Sequence, residues 1–87
     1  MAAAIDTASC RELLRTYIER DLLFGEGSVE DDTPLVAEGI LDSVSAIALF
    51  AFLEDQVGLR IPEDEVSPER LETLSSLSEW VSELSGR

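Results

Sequence analysis

Few side chains in this sequence can do chemistry on their own. The 87 residues include no His and one Cys, and the other titratable groups are carboxylates, Arg and one Tyr. Without an imidazole there is no Ser-His-Asp triad, and one Cys forms neither a zinc cluster nor an internal disulfide. Cys10 lies near a predicted helix start, but there is no His to activate it. We therefore expect a tolerated surface or semi-buried thiol there, and a protein that is not an enzyme.

Ser43 stands out by its position rather than by its residue type. It follows Asp42 where a long acidic loop meets a predicted helix. A side chain in a first helical turn lies beside backbone N–H groups without helical partners, and these groups and the helix dipole favour phosphate. The alternative is that Ser43 is a second capping residue, replaceable by Ala at about 1 kcal/mol. Spacing alone supports the two interpretations equally.

The loop before Ser43, residues 25–42, contains six acids and no base. Its adjacent Asp31 and Asp32 are typical of a solvated charge run, and the loop lacks the ligand order of a calcium-binding EF-hand. A loop this long in a small domain is usually functional or packs on itself. We expect acids crowded in 26–42 and 54–65 to resist ionising together, which would raise their pKa values in the folded state.

Helical periodicity places these residues in a small all-α four-helix bundle, with three main helices and a short one before the last. The first helix is predicted over residues 8–24, the second over 43–57 with Asp42 as N-cap, a brief one within 63–71, and the last from after Thr73 to about Leu84. The second helix is apolar on two sides. One side is the expected core stripe: Ala46, Leu49, Phe50, Leu53 and Val57. The other side is expected to be exposed for partner contact: Val44, Ile47, Ala48 and Ala51.

Charge limits the partners that this chain can bind. The formal net charge is −13, which repels phosphate backbones and anionic lipid, so we expect neither nucleic acid nor membrane as a partner. We expect one domain over residues 1–87, frayed at 1–7 and monomeric. No targeting segment is visible, and a lone Cys suits a reducing compartment, so the expected location is the cytoplasm.

Several motifs together carry a family resemblance. Residues 38–44, E-G-I-L-D-S-V, resemble the D-S-[LV] attachment motif of acyl carrier proteins and of the thiolation domains of peptide synthetases. The similarity continues through F-L-E-D at 52–55 and I-P-E-D-E-V at 61–66. It ends in T-L-S-S-L at 73–77, which is similar to the opening of the family's last helix. The resemblance implies a four-helix bundle with an attached prosthetic group.

The resemblance also implies a function. Ser43 would carry 4′-phosphopantetheine, installed from coenzyme A by a separate phosphopantetheinyl transferase with magnesium. The arm's thiol would hold an acyl or aminoacyl group as a thioester. An adenylating ligase or acyltransferase would load this cargo, and a downstream synthase would receive it. The implied partner-binding residues are Asp42, Val44, Ile47, Ala48, Ala51, Glu54 and Asp55.

The sequence departs from the fatty-acid type of carrier in one respect. That type has acids along the exposed side of its second helix just after the serine, whereas Ser45, Ala46 and Ala48 are neutral here. We therefore expect apolar docking, as in thiolation domains and discrete carriers of specialised polyketide or nonribosomal pathways. The alternative is an acidic helical adaptor that uses the same face without a prosthetic group.

Overall fold

Helices form the regular secondary structure of residues 5–87, the part of the chain that the computed structural model describes. Four α-helices follow one another: α1 (Thr7–Tyr17), α2 (Ser43–Val57), α3 (Pro68–Leu71) and α4 (Leu74–Ser85). The expected all-α bundle, with its short helix before the last, is confirmed.

The first helix changes geometry before its expected end. The Asp6 carboxylate caps α1 and accepts a hydrogen bond from the Ser9 backbone N–H at 2.7 Å. Ile18–Leu22 then forms a π-helical turn, so the expected α-helix over residues 8–24 ends at Tyr17. The physical reason is the wider π-type hydrogen bonding, in which an N–H reaches back five residues instead of four.

The second helix has the predicted bounds. Gly58 ends it in a left-handed conformation, with φ of +74°, and its N–H donates to the Glu54 carbonyl at 3.1 Å. Its core side follows the predicted stripe, since Ala46, Leu49 and Leu53 are buried while Phe50 and Val57 are half-buried against the same core.

The brief helix expected within residues 63–71 is split into two pieces. Glu63–Glu65 forms one 3₁₀ turn, and α3 begins after Ser67, which is its N-cap. The chain is extended at Ser67 because a residue before proline is disfavoured in the helical region. Thr73 caps α4 as expected.

Aromatic rings join α2 to the other helices. The Tyr17 ring of α1 stacks on Phe52 with centroids 4.3 Å apart. Phe50 of α2 and Trp80 of α4 meet edge to face, with ring centroids 6.2 Å apart and an angle of 82° between the ring planes. Because α1 and α4 also pack on each other, the three main helices share one core.

The loop between Leu22 and Ser43 packs on itself and on α4. Its Leu35 is fully buried, and the Leu35 N–H donates to the Glu72 carbonyl at 2.8 Å. Earlier in the loop, the Asp31 carbonyl accepts a hydrogen bond from the Ser75 N–H of α4 at 2.9 Å. The Asp31 carboxylate pairs in turn with Arg15 of α1 at 2.6 Å. The loop is therefore an ordered crossover tied to both α1 and α4.

Residues 5–7 differ from the frayed segment expected over 1–7. The Ile5 N–H donates to Ser85 Oγ at 3.0 Å, and Ser82 Oγ donates to the Ile5 carbonyl at 2.8 Å. These two hydrogen bonds fasten the segment to α4. The rest of the expected frayed end, residues 1–4, lies outside the described residues.

Candidate functional site

Ser43 is the first residue of α2, and its side chain is exposed. Asp42 before it is the N-cap, and the Asp42 Oδ1 atom accepts hydrogen bonds from the backbone N–H groups of Val44 at 3.0 Å and Ser45 at 2.9 Å. Within residues 5–87 the Ser43 hydroxyl has no hydrogen-bond partner. The site therefore presents a free primary hydroxyl at a helix start.

The same turn is closed from the other side by Ser45. The Asp42 N–H donates to Ser45 Oγ at 2.9 Å, so side chains and backbones of the two residues bond reciprocally in a capping box. The Ser45 hydroxyl has one proton, and its nearest acceptor is Asp42 Oδ1 at 3.1 Å. This role of Ser45 was not predicted, although a Ser three residues after an acidic N-cap is a signal visible in the sequence.

This geometry corrects the expected setting of the phosphate. The sequence suggested that N–H groups at the start of α2 are free to bind it, but Asp42 already occupies those of Val44 and Ser45. The hydrogen bonds from the Ser45 backbone and hydroxyl lower the pKa of the Asp42 carboxyl. The carboxylate is therefore a fixed part of the turn.

The turn that precedes Asp42 depends on Gly39. Its φ of +74° is a left-handed conformation that side-chain-bearing residues rarely adopt. Beyond this turn the N–H groups of Ile40 and Leu41 both donate to the Leu35 carbonyl, at 2.9 and 3.0 Å. The buried Leu35 thus anchors the chain immediately before the site.

An exposed apolar strip runs along α2 from the site. Val44 is 77% exposed and Ile47 69% exposed, and both Ala48 and Ala51 are exposed beside them. We call these four residues the α2 face. The structure brings them together on one side of the helix, as the sequence predicted, and opposite the core stripe.

The two acids near the end of α2 have different roles. Both Glu54 and Asp55 are exposed. The Glu54 Oε2 atom accepts a hydrogen bond from the Ile61 backbone N–H at 3.0 Å, so it holds the connector that follows α2. The sequence could not show this contact because it depends on how residues 58–61 fold back.

The expectation of raised carboxyl pKa values is wrong for Glu65 as well as for Asp42. Hydrogen bonds from Arg87 lower the pKa of the Glu65 carboxyl, and a weaker contribution comes from the Trp80 ring N–H, 3.5 Å away. Arg87 also pairs with Glu83 at 2.9 Å. Pairing with a guanidinium outweighs crowding at this position.

Cys10 is fully buried, so the expected surface or semi-buried thiol is wrong. Burial, with a smaller contribution from the Asp6 charge, raises the pKa of the Cys10 thiol to about 11. A thiol protonated at neutral pH is a poor nucleophile. Cys10 is a core residue that packs within the α1–α4 core.

Two other kinds of site are absent from the described part of the chain. Residues 5–87 contain no cluster of His, Cys, Asp or Glu arranged to hold a metal ion. Nor is any helix among them long and apolar enough to span a membrane.

At the start of α2, a free hydroxyl follows an acidic cap on a small helical bundle. A family model described as a phosphopantetheine attachment site matches residues 12–81, and the chain belongs to this family. Its members attach 4′-phosphopantetheine covalently and act as carrier proteins, not as catalysts. The exposed hydroxyl of Ser43 fits such an attachment.

A solved structure also resembles this chain. It is described as the crystal structure of an FAD-dependent dehydrogenase, and the match has 39% sequence identity and a TM-score of 0.70. The alignment covers 79% of this chain and 99% of the other. A comparison with curated proteins found no significant match.

Proposed function

We propose that Ser43 is the residue that carries 4′-phosphopantetheine and that this protein is a free-standing acyl or aminoacyl carrier. One observation carries the proposal: within the matched region, the exposed Ser43 hydroxyl follows an acidic cap at the start of α2. The other hydroxyl of that turn, on Ser45, is engaged with Asp42.

The attachment reaction needs a separate transferase and coenzyme A. The Ser43 oxygen bonds to the phosphorus on the pantetheine side of the pyrophosphate, the pyrophosphate bond breaks, and adenosine 3′,5′-bisphosphate leaves. The serine proton passes to a base of the transferase, and magnesium balances the phosphate charge. This chain contributes the nucleophile, Ser43, and its placement at the start of α2.

The arm then supplies the reactive group that the protein lacks. Its terminal thiol holds the acyl or aminoacyl cargo as a thioester, while the single thiol of the chain, Cys10, is buried and protonated. An adenylating ligase or an acyltransferase loads the cargo, and a downstream synthase accepts it.

The α2 face is the proposed docking surface for these enzymes. Burial of apolar area contributes about 25 cal/mol per Å², whereas an exposed charge pair contributes less than about 1 kcal/mol and is screened by salt. Val44 and Ile47 should therefore contribute more to docking than Asp55. Such a surface suits a carrier of a specialised polyketide or nonribosomal pathway in the cytoplasm.

A flavin enzyme is a further proposed partner. The similar solved structure is described as an FAD-dependent dehydrogenase, and the alignment with this protein covers 99% of the matched chain in that structure. Such an enzyme would oxidise the carbon chain of a carried acyl group while its own flavin is reduced. The loaded carrier should then bleach the flavin absorbance of that dehydrogenase, and the unloaded carrier should not.

Intact mass spectrometry tests the attachment directly. The protein is incubated with coenzyme A, magnesium and a broad-specificity transferase, and we expect a gain equal to one arm. Ser43→Ala should abolish this gain and keep the helical circular dichroism spectrum. Thr7→Ala is a matched control, because Thr7 is the hydroxyl residue that follows the acidic cap of α1. A full gain in the Ser43→Ala variant would move the site to another residue and refute the assignment.

The alternative is an acidic helical adaptor that uses the α2 face without an arm. The exposed strip of Val44 and Ile47 favours this second function, since a partner helix could cover it permanently. The same experiment separates the two functions, because an adaptor gains no mass.

A further inference from the structure

The start of α2 has two hydroxyl groups two residues apart, and they differ in their bonding. Ser43 Oγ is exposed, and it has no partner within residues 5–87. Ser45 is half-buried, and its Oγ accepts from the Asp42 N–H while its own proton goes to Asp42 Oδ1. One hydroxyl is therefore available and the other is part of the scaffold.

The cap of α1 provides an internal comparison. Its sequence Asp6-Thr7-Ala8-Ser9 has the same order of residue types as Asp42-Ser43-Val44-Ser45. Ser9 bonds to the Asp6 carboxylate through its N–H at 2.7 Å and its hydroxyl at 3.2 Å. The return bond, from the cap N–H to the serine oxygen, is found at α2 and is not present at α1.

The cap of α4 provides a second comparison, because it has the same reciprocal box. The Thr73 N–H donates to Ser76 Oγ at 3.1 Å, and the Ser76 N–H donates to Thr73 Oγ1 at 3.1 Å. The residue after the cap, which corresponds to Ser43, is the buried Leu74, so this box has no hydroxyl at that position. It offers a matched capping interaction away from the site.

We propose that Ser45 is a positioning residue for arm attachment: its hydroxyl locks the Asp42–Ser43 turn so that Ser43 Oγ is presented to the transferase in one orientation. This inference rests on the proposed attachment at Ser43. Ser45 Oγ bonds to both the backbone N–H and the carboxylate of Asp42, so it restrains the backbone and the side chain of that residue together.

The physical reason is the sensitivity of bond formation to the placement of the nucleophile. Ser43 directly follows Asp42, so rotation about the Asp42 backbone moves the Ser43 oxygen relative to a docked transferase. Misplacement of a reacting atom by about 1 Å can reduce a rate as much as a hundredfold. Removal of the Ser45 hydroxyl leaves the Asp42 N–H without its acceptor and Oδ1 with two donors instead of three.

The Asp42 carboxyl offers a spectroscopic sign of the lock. The Ser45 backbone N–H and then the Ser45 hydroxyl are the two main causes of its lowered pKa. Loss of the hydroxyl should raise this pKa toward its ordinary value, which a carbon-detected NMR titration of Asp42 can follow.

Transferase kinetics with this protein as the varied substrate test the inference. Ser45→Ala should lower kcat about fivefold, the effect of one net hydrogen bond, with less than about a twofold change in KM, because the α2 face is unchanged. Ser45→Thr keeps the hydroxyl and should restore kcat to within about twofold. The matched variant Ser76→Ala loses the equivalent bond at α4 and should modify at the wild-type rate.

Each result bears on a separate claim. A wild-type kcat for Ser45→Ala, an equal loss in Ser76→Ala, or a failure of Ser45→Thr to restore the rate would overturn the positioning role. An unchanged pKa of Asp42 in Ser45→Ala would also count against it. Arm attachment in Ser43→Ala would instead overturn the proposed function, so the two failures are distinguishable.

Discussion

The Tyr17 ring of α1 stacks on Phe52 of α2 with centroids 4.3 Å apart and an angle of 28° between their planes. This pair connects the first helix to the helix that carries Ser43. Because the α2 face is exposed, α2 is held on the bundle only by the side chains that pack against the core, and Phe52 is one of them.

Phe52→Ala should therefore destabilise the fold by about 2 kcal/mol, less than the ~3–5 kcal/mol of a fully buried Phe, because Phe52 is half-buried. Tyr17→Phe keeps the ring and should cost less than about 0.5 kcal/mol. Urea unfolding followed by circular dichroism measures both. Equal losses in the two variants would show that the hydroxyl, and not the stacking, supports α2.

Changes on the α2 face should affect docking and not folding. Val44→Asp or Ile47→Asp should slow loading more than tenfold, since each side chain contributes ~1.5–3 kcal/mol when buried at an interface. Asp55→Asn should have a smaller effect that shrinks at high salt. Glu54→Gln is a poorer control because Glu54 accepts the Ile61 N–H. Loading rates at two ionic strengths decide the matter, and a larger loss from Asp55→Asn would mean electrostatic docking.

Gly39→Ala should strain the turn before the site. Its φ is +74°, and an added Cβ would meet no atom within 4 Å, so the cost is that of the backbone alone, about 1–2 kcal/mol. Gly58→Ala is the matched control, with the same φ and equally open surroundings at the far end of α2. Both variants should lose similar melting temperature, but only Gly39→Ala should slow arm attachment. Equal attachment rates would show that the Gly39 turn does not position Ser43.

Acid should weaken the fold through Glu65. Its folded-state pKa lies below the ordinary value of 4.5, chiefly because Arg87 donates hydrogen bonds to the carboxylate. Its stabilising contribution is thus complete above pH 4.5 and is lost as the pH falls through the lowered folded-state value.

Both Glu65→Gln and Arg87→Ala should flatten the fall in unfolding free energy below that pH. Combining the two substitutions should add nothing more, because they remove the same ion pair. Denaturant unfolding between pH 2 and 6, taken as rough limits of the window, measures the slope. A slope unchanged in both variants would contradict the pairing.

Alkali should act through the buried thiol. The folded-state pKa of Cys10 is about 11, above its ordinary value of 9.0, because burial disfavours the thiolate. The contribution of the protonated Cys10 thiol to the free energy of unfolding is therefore complete below pH 9.0 and is lost as the pH rises toward about 11. Cys10→Ala should remove this loss, and a thiol reagent at neutral pH should label the wild-type protein only after denaturation. Rapid labelling of the native protein would contradict the burial.

Local signals made the ends of α2 and the start of α4 predictable. Each of these helix ends is capped by a residue whose hydrogen bonds reach no farther than about one helical turn, so its neighbours in sequence are enough to predict it. The caps are Asp42, Gly58 and Thr73. The exposed α2 face was predictable for a similar reason, because helical periodicity assigns Val44 and Ile47 to the side opposite the core stripe.

Contacts between distant residues were not predictable. Arg87 lies 22 residues from Glu65, and their pairing lowers a carboxyl pKa that crowding alone would raise. The Glu54 bond to the Ile61 N–H and the burial of Cys10 likewise depend on tertiary packing. The π-helical turn at Ile18–Leu22 has no periodic signature, since its residues fit an α-helical stripe equally well.

The hydrogen bond from the Ile5 backbone N–H to Ser85 Oγ has a practical consequence for attaching the protein to a surface. Ser85 borders the same groove as Val57 and Gly58, where α2 ends, whereas Ser43 lies at the other end of that helix, about 21 Å away at 1.5 Å per residue. Tags or tethers joined before Ile5 or after Ser85 thus emerge together at one pole of the domain. A carrier immobilised by either terminus keeps the pole with the Ser43 hydroxyl facing the enzymes in solution.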